Sequence, residues 1–566
     1  MEPGGRRERR WRQLQGPRQE AAEYYRDHRV PQRMEEALNA LFPLRPADLY
    51  GELANYFSKF SKAPVICKLV GRKVLDGVGQ PTLEVEIYCT VKNYEKRICS
   101  TVMSFHSQIP ENALPETNEA DEKERNDSVN TAVEWVSDSL NTMLRDLKPT
   151  DQCKVDEMLG EYFTKQAEFK KEIEKQEEAA AEVTLALTSC TPSATALPGG
   201  KKAAKPGRKV SAAERMIPPA EPVESVLCGS LAIGATSLAI AKAGATVSRI
   251  PLYLHIALLK HGQDLPKEMT LPLPMVTLLN CEKIPPAKLK LMKEVMLIPP
   301  VQLSLKQGIE RVLDIQKEMT RLLESPGKVQ SSPRLADSKK GKAHNTGKKA
   351  PVKGKYEILT GMFKSPDEMV DMYVELINKF PFIIALIDPL RKEDRQQWNN
   401  ICCALGSKCY LIAEDAATCI SKLKSDQKIN IPMCSGVVLK YINQTKVSDL
   451  IELTGLVDGQ RHITILGSPD GESSDDSLVD LAVGLGARFI KLGGLSRGER
   501  VTKYNRLLAI EEELAKNRTL REANLEFIAF DEESQPEKQL SEVLPPPTQD
   551  SLPPQLSQRP ENSTLT

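Results

Sequence analysis

Between residues 382 and 492, five short apolar, β-rich runs recur at a nearly fixed step, and this spacing constrains the fold more than any other feature of the chain. The runs are 382–387, 409–413, 436–439, 462–467 and 488–492. Polar residues close them: Asp388, Glu414, Lys440, Ser468 and Lys491, the first three spaced 26 residues apart. The stretches between have helical periodicity. One opens with Ser365-Pro366-Asp367-Glu368, a capping box with proline in its first turn. It continues as an apolar stripe through Met369, Val370, Tyr373, Leu376, Ile377 and Phe380. A strand–helix unit repeated at this length predicts an α/β fold with a parallel sheet and right-handed crossovers. Five or more units favour a closed barrel, although an open doubly wound sheet uses the same alternation. In a barrel, the C-terminal strand ends carry the chemistry. Two carboxylates and two lysines gathered there could hold a divalent cation and a phosphorylated or carboxylate-bearing substrate. The plainer reading is that charged residues end strands because strands end at the surface.

The chain is 566 residues long, too long for one simple domain. Its 77 basic and 77 acidic residues balance, which argues against a general nucleic-acid surface. No stretch approaches the roughly 18 uncharged apolar residues of a membrane span. The first twenty residues hold six arginines and no apolar core, unlike a secretory leader. Twelve cysteines without a CxxC pair, several in apolar runs (Cys67, Cys402, Cys403, Cys434), suggest reduced core thiols and a cytoplasmic setting. With six histidines and none at ligand spacing to a cysteine pair, zinc is not expected.

Four segments bury too little apolar surface to offset chain entropy: 1–19, 165–222 (which begins as a charged helix-like run), the Lys-rich 325–355, and 531–566. Ordered blocks are expected at 20–62, 64–164, 223–324 and 356–530. The first block reads as two short helices, one bearing Met34, Leu38 and Leu41, the other Leu49, Leu53, Tyr56, Phe57 and Phe60. Two such helices cannot bury both apolar faces alone and call for a second copy, unless they pack on the body that follows.

The residue strings of the later blocks resemble one family. Phe489-Ile-Lys491-Leu-Gly-Gly-Leu-Ser-Arg497-Gly-Glu-Arg500, running on to Asn505 and Glu513, resembles the enolase C-terminal signature. Asp76-Gly-Val-Gly79-Gln-Pro-Thr-Leu-Glu-Val-Glu86 resembles the opening hairpin of the enolase N-terminal domain. Ala232 to Lys242 with Pro251 to Ala257 resembles the helices leading into the barrel; Pro272 to Asn280 and Lys293 to Pro299 resemble its first two strands. The long inserts and the added N-terminus are similar to the sperm-type branch of the family. The resemblance implies an enolase-like (β/α) barrel preceded by an α+β domain. It implies dehydration of 2-phosphoglycerate to phosphoenolpyruvate with two magnesium ions that stabilise an ene-diolate. Motif by motif, Lys440 falls on the proton-abstracting lysine and Lys491 on the second substrate lysine. Glu294 falls on an acidic substrate-site residue that would assist departure of hydroxide. Glu414 falls on a metal aspartate, and Ser107 on the loop serine that ligates the second magnesium. A lowered pKa for Lys440 would come from Lys491 and bound metal.

The same motifs show departures. The family's Glu-Asp-Pro, whose glutamate binds metal, reads Ile387-Asp388-Pro389 here. Asp388 is one residue off and points to the other strand face, so it is a doubtful substitute. The family's Ser-His-Arg-Ser reads Gly467-Ser468-Pro469-Asp470, so the phosphate arginine is a proline. No histidine stands near Ile284, and Phe105-His106 replace the Gly-rich loop. Between Glu324 and Lys355 a helix and a strand ending in another metal aspartate are absent, leaving seven of eight barrel strands, as in a shortened splice form. Activity far below that of an ordinary enolase is expected. Residues 20–62, through Val30-Pro31-x-x-Met34, Arg45-Pro46-x-Asp48-x-Tyr50 and Leu53-Ala-x-Tyr56-Phe57, resemble the dimerisation/docking helices of the protein kinase A regulatory subunit. That resemblance implies a homodimer or hetero-oligomer that grips an amphipathic helix of an anchoring protein, in a setting such as a cilium or flagellum.

Overall fold

The computed structural model describes residues 18–104, 115–188, 227–262, 264, 266–280, 291–324, 354–359, 362–415, 431–440, 445–468, 472–528 and 530. At the N-terminus lie α1 (Val30–Leu41) and α2 (Leu49–Ser58). Pro31 sits in the first turn of α1, where no N–H is needed. Asp48 caps α2 by accepting from the Gly51 N–H at 2.9 Å. Ala37 and Leu41 are buried, and the Arg33 guanidinium lies 4.2 Å from the Phe60 ring centroid.

The next block is an antiparallel meander of β1 (Val65–Leu75), β2 (Pro81–Val91) and β3 (Tyr94–Met103). Leu83, Val85, Ile87 and Cys89 alternate along β2 and are buried, the period-two face of a strand packed on a helical layer. That layer contains α3 (Pro115–Glu134) and α4 (Gln152–Thr188). The expectation that 165–222 lacks structure is corrected over 165–188: α4 continues to Thr188. Its Lys and Glu residues are good helix formers, so propensity sustains a helix that buries little. The rest of that stretch lies outside the described residues, as do 1–17 and 531–566.

Two helices then lead into the sheet, α5 (Leu231–Ser248) and α6 (Leu252–His261). Helix α5 is long and apolar enough by length and composition to cross a membrane, but it carries Lys242 and 78% of it is buried inside the fold. Its small residues let it pack closely on β2, β3 and α6 as a core helix.

The remaining elements are β4 (Met269–Thr270), β5 (Leu273–Asn280), β6 (Glu294–Leu297), α7 (Leu305–Glu324), the hairpin β7 (Tyr356–Leu359) and β8 (Met362–Lys364), and α8 (Pro366–Lys379). After these come β9 (Ala385–Ile387), α9 (Arg395–Leu405), β10 (Tyr410–Ala413), β11 (Gly436–Leu439), α10 (Val447–Gly459), β12 (Ile463–Gly467), α11 (Ser477–Leu485), β13 (Phe489–Gly493), α12 (Gly498–Asn517) and β14 (Leu520–Arg521). The capping box that opens α8 is formed: Ser365 Oγ accepts from the Glu368 N–H at 3.2 Å, and Glu368 accepts from the Ser365 N–H at 2.7 Å. Strand β9 starts three residues later than expected, and Phe382 is 78% exposed.

Seven strands pair in the order β6-β5-β13-β12-β11-β10-β9. The first strand after α6 to join this sheet, β5, therefore lies beside the last, β13, in parallel register. That pairing is how a barrel wraps, and it excludes the doubly wound alternative, in which strand order reverses at a switch point. Strand β6 runs antiparallel to β5, where the repeat alone had predicted parallel pairing. Among the described residues the two sheet edges are β6 and β9. Inside the curl, Met275, Tyr410, Ile412, Val438, Ile465 and Phe489 form one cluster. The chain after β14 closes its floor: Leu525 and Phe527 pack on the cluster, and Tyr410 Oη donates to the Glu526 carbonyl at 2.7 Å. Among the described cysteines, Cys402 and Cys434 are buried as expected, whereas Cys67 is half-buried and Cys403 exposed. Burial pushes the Cys434 thiol up to about 12, so it is inert.

Candidate active site

Strand phase decides which side chains reach the barrel mouth. Period two carries the interior face from Ala385 to Ile387, from Ile412 to Glu414, from Val438 to Lys440 and from Phe489 to Lys491. Glu294 opens β6 rather than ending it, but β6 is antiparallel and Glu294 pairs with Asn280 at the C-terminal end of β5. Five strands thus deliver Ile387, Glu414, Lys440, Lys491 and Glu294 to one rim.

Four of these are joined by charge. Glu414 is 8% exposed, and its Oε1 is in close contact with Lys440 Nζ. Lys491 Nζ donates to both Glu414 oxygens, at 3.2 and 3.1 Å, and lies 3.1 Å from Glu294 Oε2. Asp415 lies 4.0 Å from both Lys440 and Lys293 on the outer rim. Asp415 and Lys293 were not singled out from the sequence, although each adjoins a residue that was. Buried carboxylates need such partners, since an isolated charge in low dielectric is expensive.

Asp388 is out of phase with the interior, as its sequence position implied. Its Oδ1 accepts from the Glu414 N–H at 2.9 Å and its Oδ2 from the Asp415 N–H at 2.7 Å. It holds a left-handed backbone, φ 46°, which is uncommon for a residue other than glycine. Asp388 is therefore an anchor for the 414–415 backbone, with each carboxylate oxygen accepting from one amide. Ser468 is out of phase as well, and its hydroxyl donates to Glu472.

Glu472 belongs to the seam between the barrel and the N-terminal sheet. Its carboxylate lies 2.7 Å from Lys503 Nζ, and its backbone carbonyl accepts from the Gly77 N–H at 2.9 Å. A Cβ at Gly77 would meet that carbonyl at 2.6 Å, so the hairpin approaches only because glycine stands there. Burial raises the Glu472 carboxyl above the usual range, and the Lys503 charge opposes this only in part. Ser107 and residues 469–471 lie outside the described residues. Ser104, at the end of the described stretch before Ser107, accepts from the Ser473 N–H at 2.7 Å.

The donor set was tested against the magnesium that the resemblance implies. Magnesium needs near-octahedral oxygen ligands. Ile387 offers none, Asp388 already turns both oxygens to backbone amides, and Glu414 meets lysine ammonium groups on both oxygens. Among the described residues no three His, Cys, Asp or Glu side chains gather as a metal site. These residues do not fit the ion. Glu414, expected as a metal ligand, is an ion-pair partner of Lys440 and Lys491 in this structure. Among the described residues the arrangement can hold a lysine near a bound carboxylate; it presents no two-metal clamp.

Comparison with known proteins gives the relatives. Residues 352–526 match the family described as "Enolase, C-terminal TIM barrel domain". The chain is 47% identical to "Enolase 4" of Homo sapiens over 588 aligned positions, covering 94% of each chain. It is 44% identical to "Enolase 4" of Mus musculus, covering 91% of this chain and 92% of the relative. It is 27% identical to "Cytosolic enolase 3" of Arabidopsis thaliana, covering 87% and 96%. About 532 residues of this chain (94% of 566) are aligned over the 588 positions, so about 56 residues (588 − 532) of the human relative have no counterpart in this chain.

Proposed function

This chain belongs to the enolase family, and we propose that it is a divergent enolase that dehydrates 2-phosphoglycerate to phosphoenolpyruvate weakly at best and is anchored in a cilium or flagellum through α1 and α2. The observation that carries the catalytic half is Glu414 held between Lys440 and Lys491. Both lysines needed for the substrate stand at the mouth, Lys440 where it would take the C2 proton and Lys491 where it would meet the substrate carboxylate. Glu294 would assist loss of hydroxide from the same rim. No step is drawn through magnesium, since the side chains do not fit it.

The anchoring half rests on exposure. Met34, Leu38, Leu49 and Phe60 are each between 43% and 49% exposed, so the body does not cover the apolar face of this helix pair. A second copy would cover it, and the dimer would offer a groove to an amphipathic helix of an anchoring protein. A second reading, a catalytically inactive enolase-fold scaffold recruited by the same helices, is favoured by Ile387 in the place of the metal glutamate.

The test is phosphoenolpyruvate formation by the purified chain in millimolar magnesium. Turnover at least about a thousandfold below the usual 1–10³ s⁻¹ range is expected. No product at all would select the scaffold reading, and ordinary turnover would contradict both.

A further inference from the structure

The two acids at the centre of the barrel mouth are already paired without any bound ion, with Asp415 lying 4.0 Å from Lys440 and Lys293 outside them. Two carboxylates, Glu414 and Glu294, face two ammonium groups, Lys440 and Lys491, and Lys491 touches both acids. The more buried acid, Glu414, has the more contacts. Asp388 fixes the backbone N–H groups of 414 and 415, which limits how far the Glu414 carboxylate can turn away. A dication entering here would have to displace two ammonium groups from Glu414. The neighbouring strand would offer it only Ile387, which has no side-chain oxygen to give.

We propose that Lys440 and Lys491 are the resident counter-cations of Glu414, taking the place of a divalent metal, so that the mouth is complete without magnesium and does not take it up. This rests on reading the chain as a divergent enolase, but it concerns cation uptake and stability rather than turnover, so either can fail alone.

The test uses the full chain stripped with a chelator. Free manganese is titrated and followed by electron paramagnetic resonance, with Glu414→Gln as the control. The expected result is no saturable uptake that depends on Glu414, and a Tm that is unchanged between chelator and millimolar magnesium. Saturable uptake that disappears in Glu414→Gln, or a magnesium-dependent rise in Tm of about 5 °C or more, would overturn the proposal. The counter-ion role has its own readout. Lys440→Met should lower Tm by about 5 °C, and adding Glu414→Gln should restore most of the loss, because the unpaired buried carboxylate is then gone. Strict additivity of the two changes would contradict that role. Should the lysine variant fail to fold, the manganese titration of the unmodified chain still decides the metal claim.

Discussion

At the scale of single residues, a one-residue difference in strand phase separates the chemistry from its support. Ile387 and Asp388 are adjacent, yet one lines the barrel interior and the other bonds the neighbouring backbone. Charged acceptors of amide N–H groups are worth about 1.5–3 kcal/mol each, less where water competes. Asp388→Ala is therefore expected to lower stability by about 2 kcal/mol in a urea titration, and Asp388→Asn, with one acceptor left, by about half as much. No change in either would show that the anchor is idle. The phase was legible in the sequence, because alternation from Ile412, Val438 and Phe489 points to Glu414, Lys440 and Lys491. The pairing was not. Lys491 and Glu414 lie 77 residues apart, and no local pattern states that a lysine occupies the oxygens expected to hold a metal.

At the scale of elements, five runs of the repeat became β9 to β13, and the capping box began α8 as read. The antiparallel turn of β6 was not legible, since strand direction depends on a connection, not on composition. Nor was the continuation of α4 to Thr188, because a charged stretch is compatible both with an exposed helix and with no structure. Two histidines, His255 buried and His462 half-buried, give these elements a pH dependence. His255 on α6 and His462 before β12 both have pKa values lowered by burial, His462 in spite of the bond between its Nδ1 and the Cys434 carbonyl at 2.8 Å. Below the ordinary value of 6.5 the unfolded chain binds protons that the folded chain refuses. Stability from these groups is thus present above that pH and lost as the pH falls beneath it. The expected outcome is a Tm that declines between about pH 7 and pH 5, with a shallower slope in the double variant His255→Asn, His462→Asn; an unchanged slope would remove the histidines from the account.

At the scale of the whole molecule, a family body whose mouth holds Glu414 between two lysines is joined to a helix pair that leaves its apolar face exposed. A fragment of residues 20–64 is expected to sediment as a dimer, and Leu38→Ala with Leu53→Ala to make it monomeric; a monomeric unmodified fragment would remove the docking reading. The seven-stranded sheet was legible as a count, because a missing segment is visible in a repeat. Its open edges at β6 and β9 follow from that count. The central claim is that the fold has outlasted the reaction. The most direct measurement is the steady-state rate at which the full chain converts 2-phosphoglycerate to phosphoenolpyruvate in millimolar magnesium. This account predicts a kcat below about 0.01 s⁻¹, beneath the usual range for enzymes. A kcat of about 10 s⁻¹ or more would contradict it.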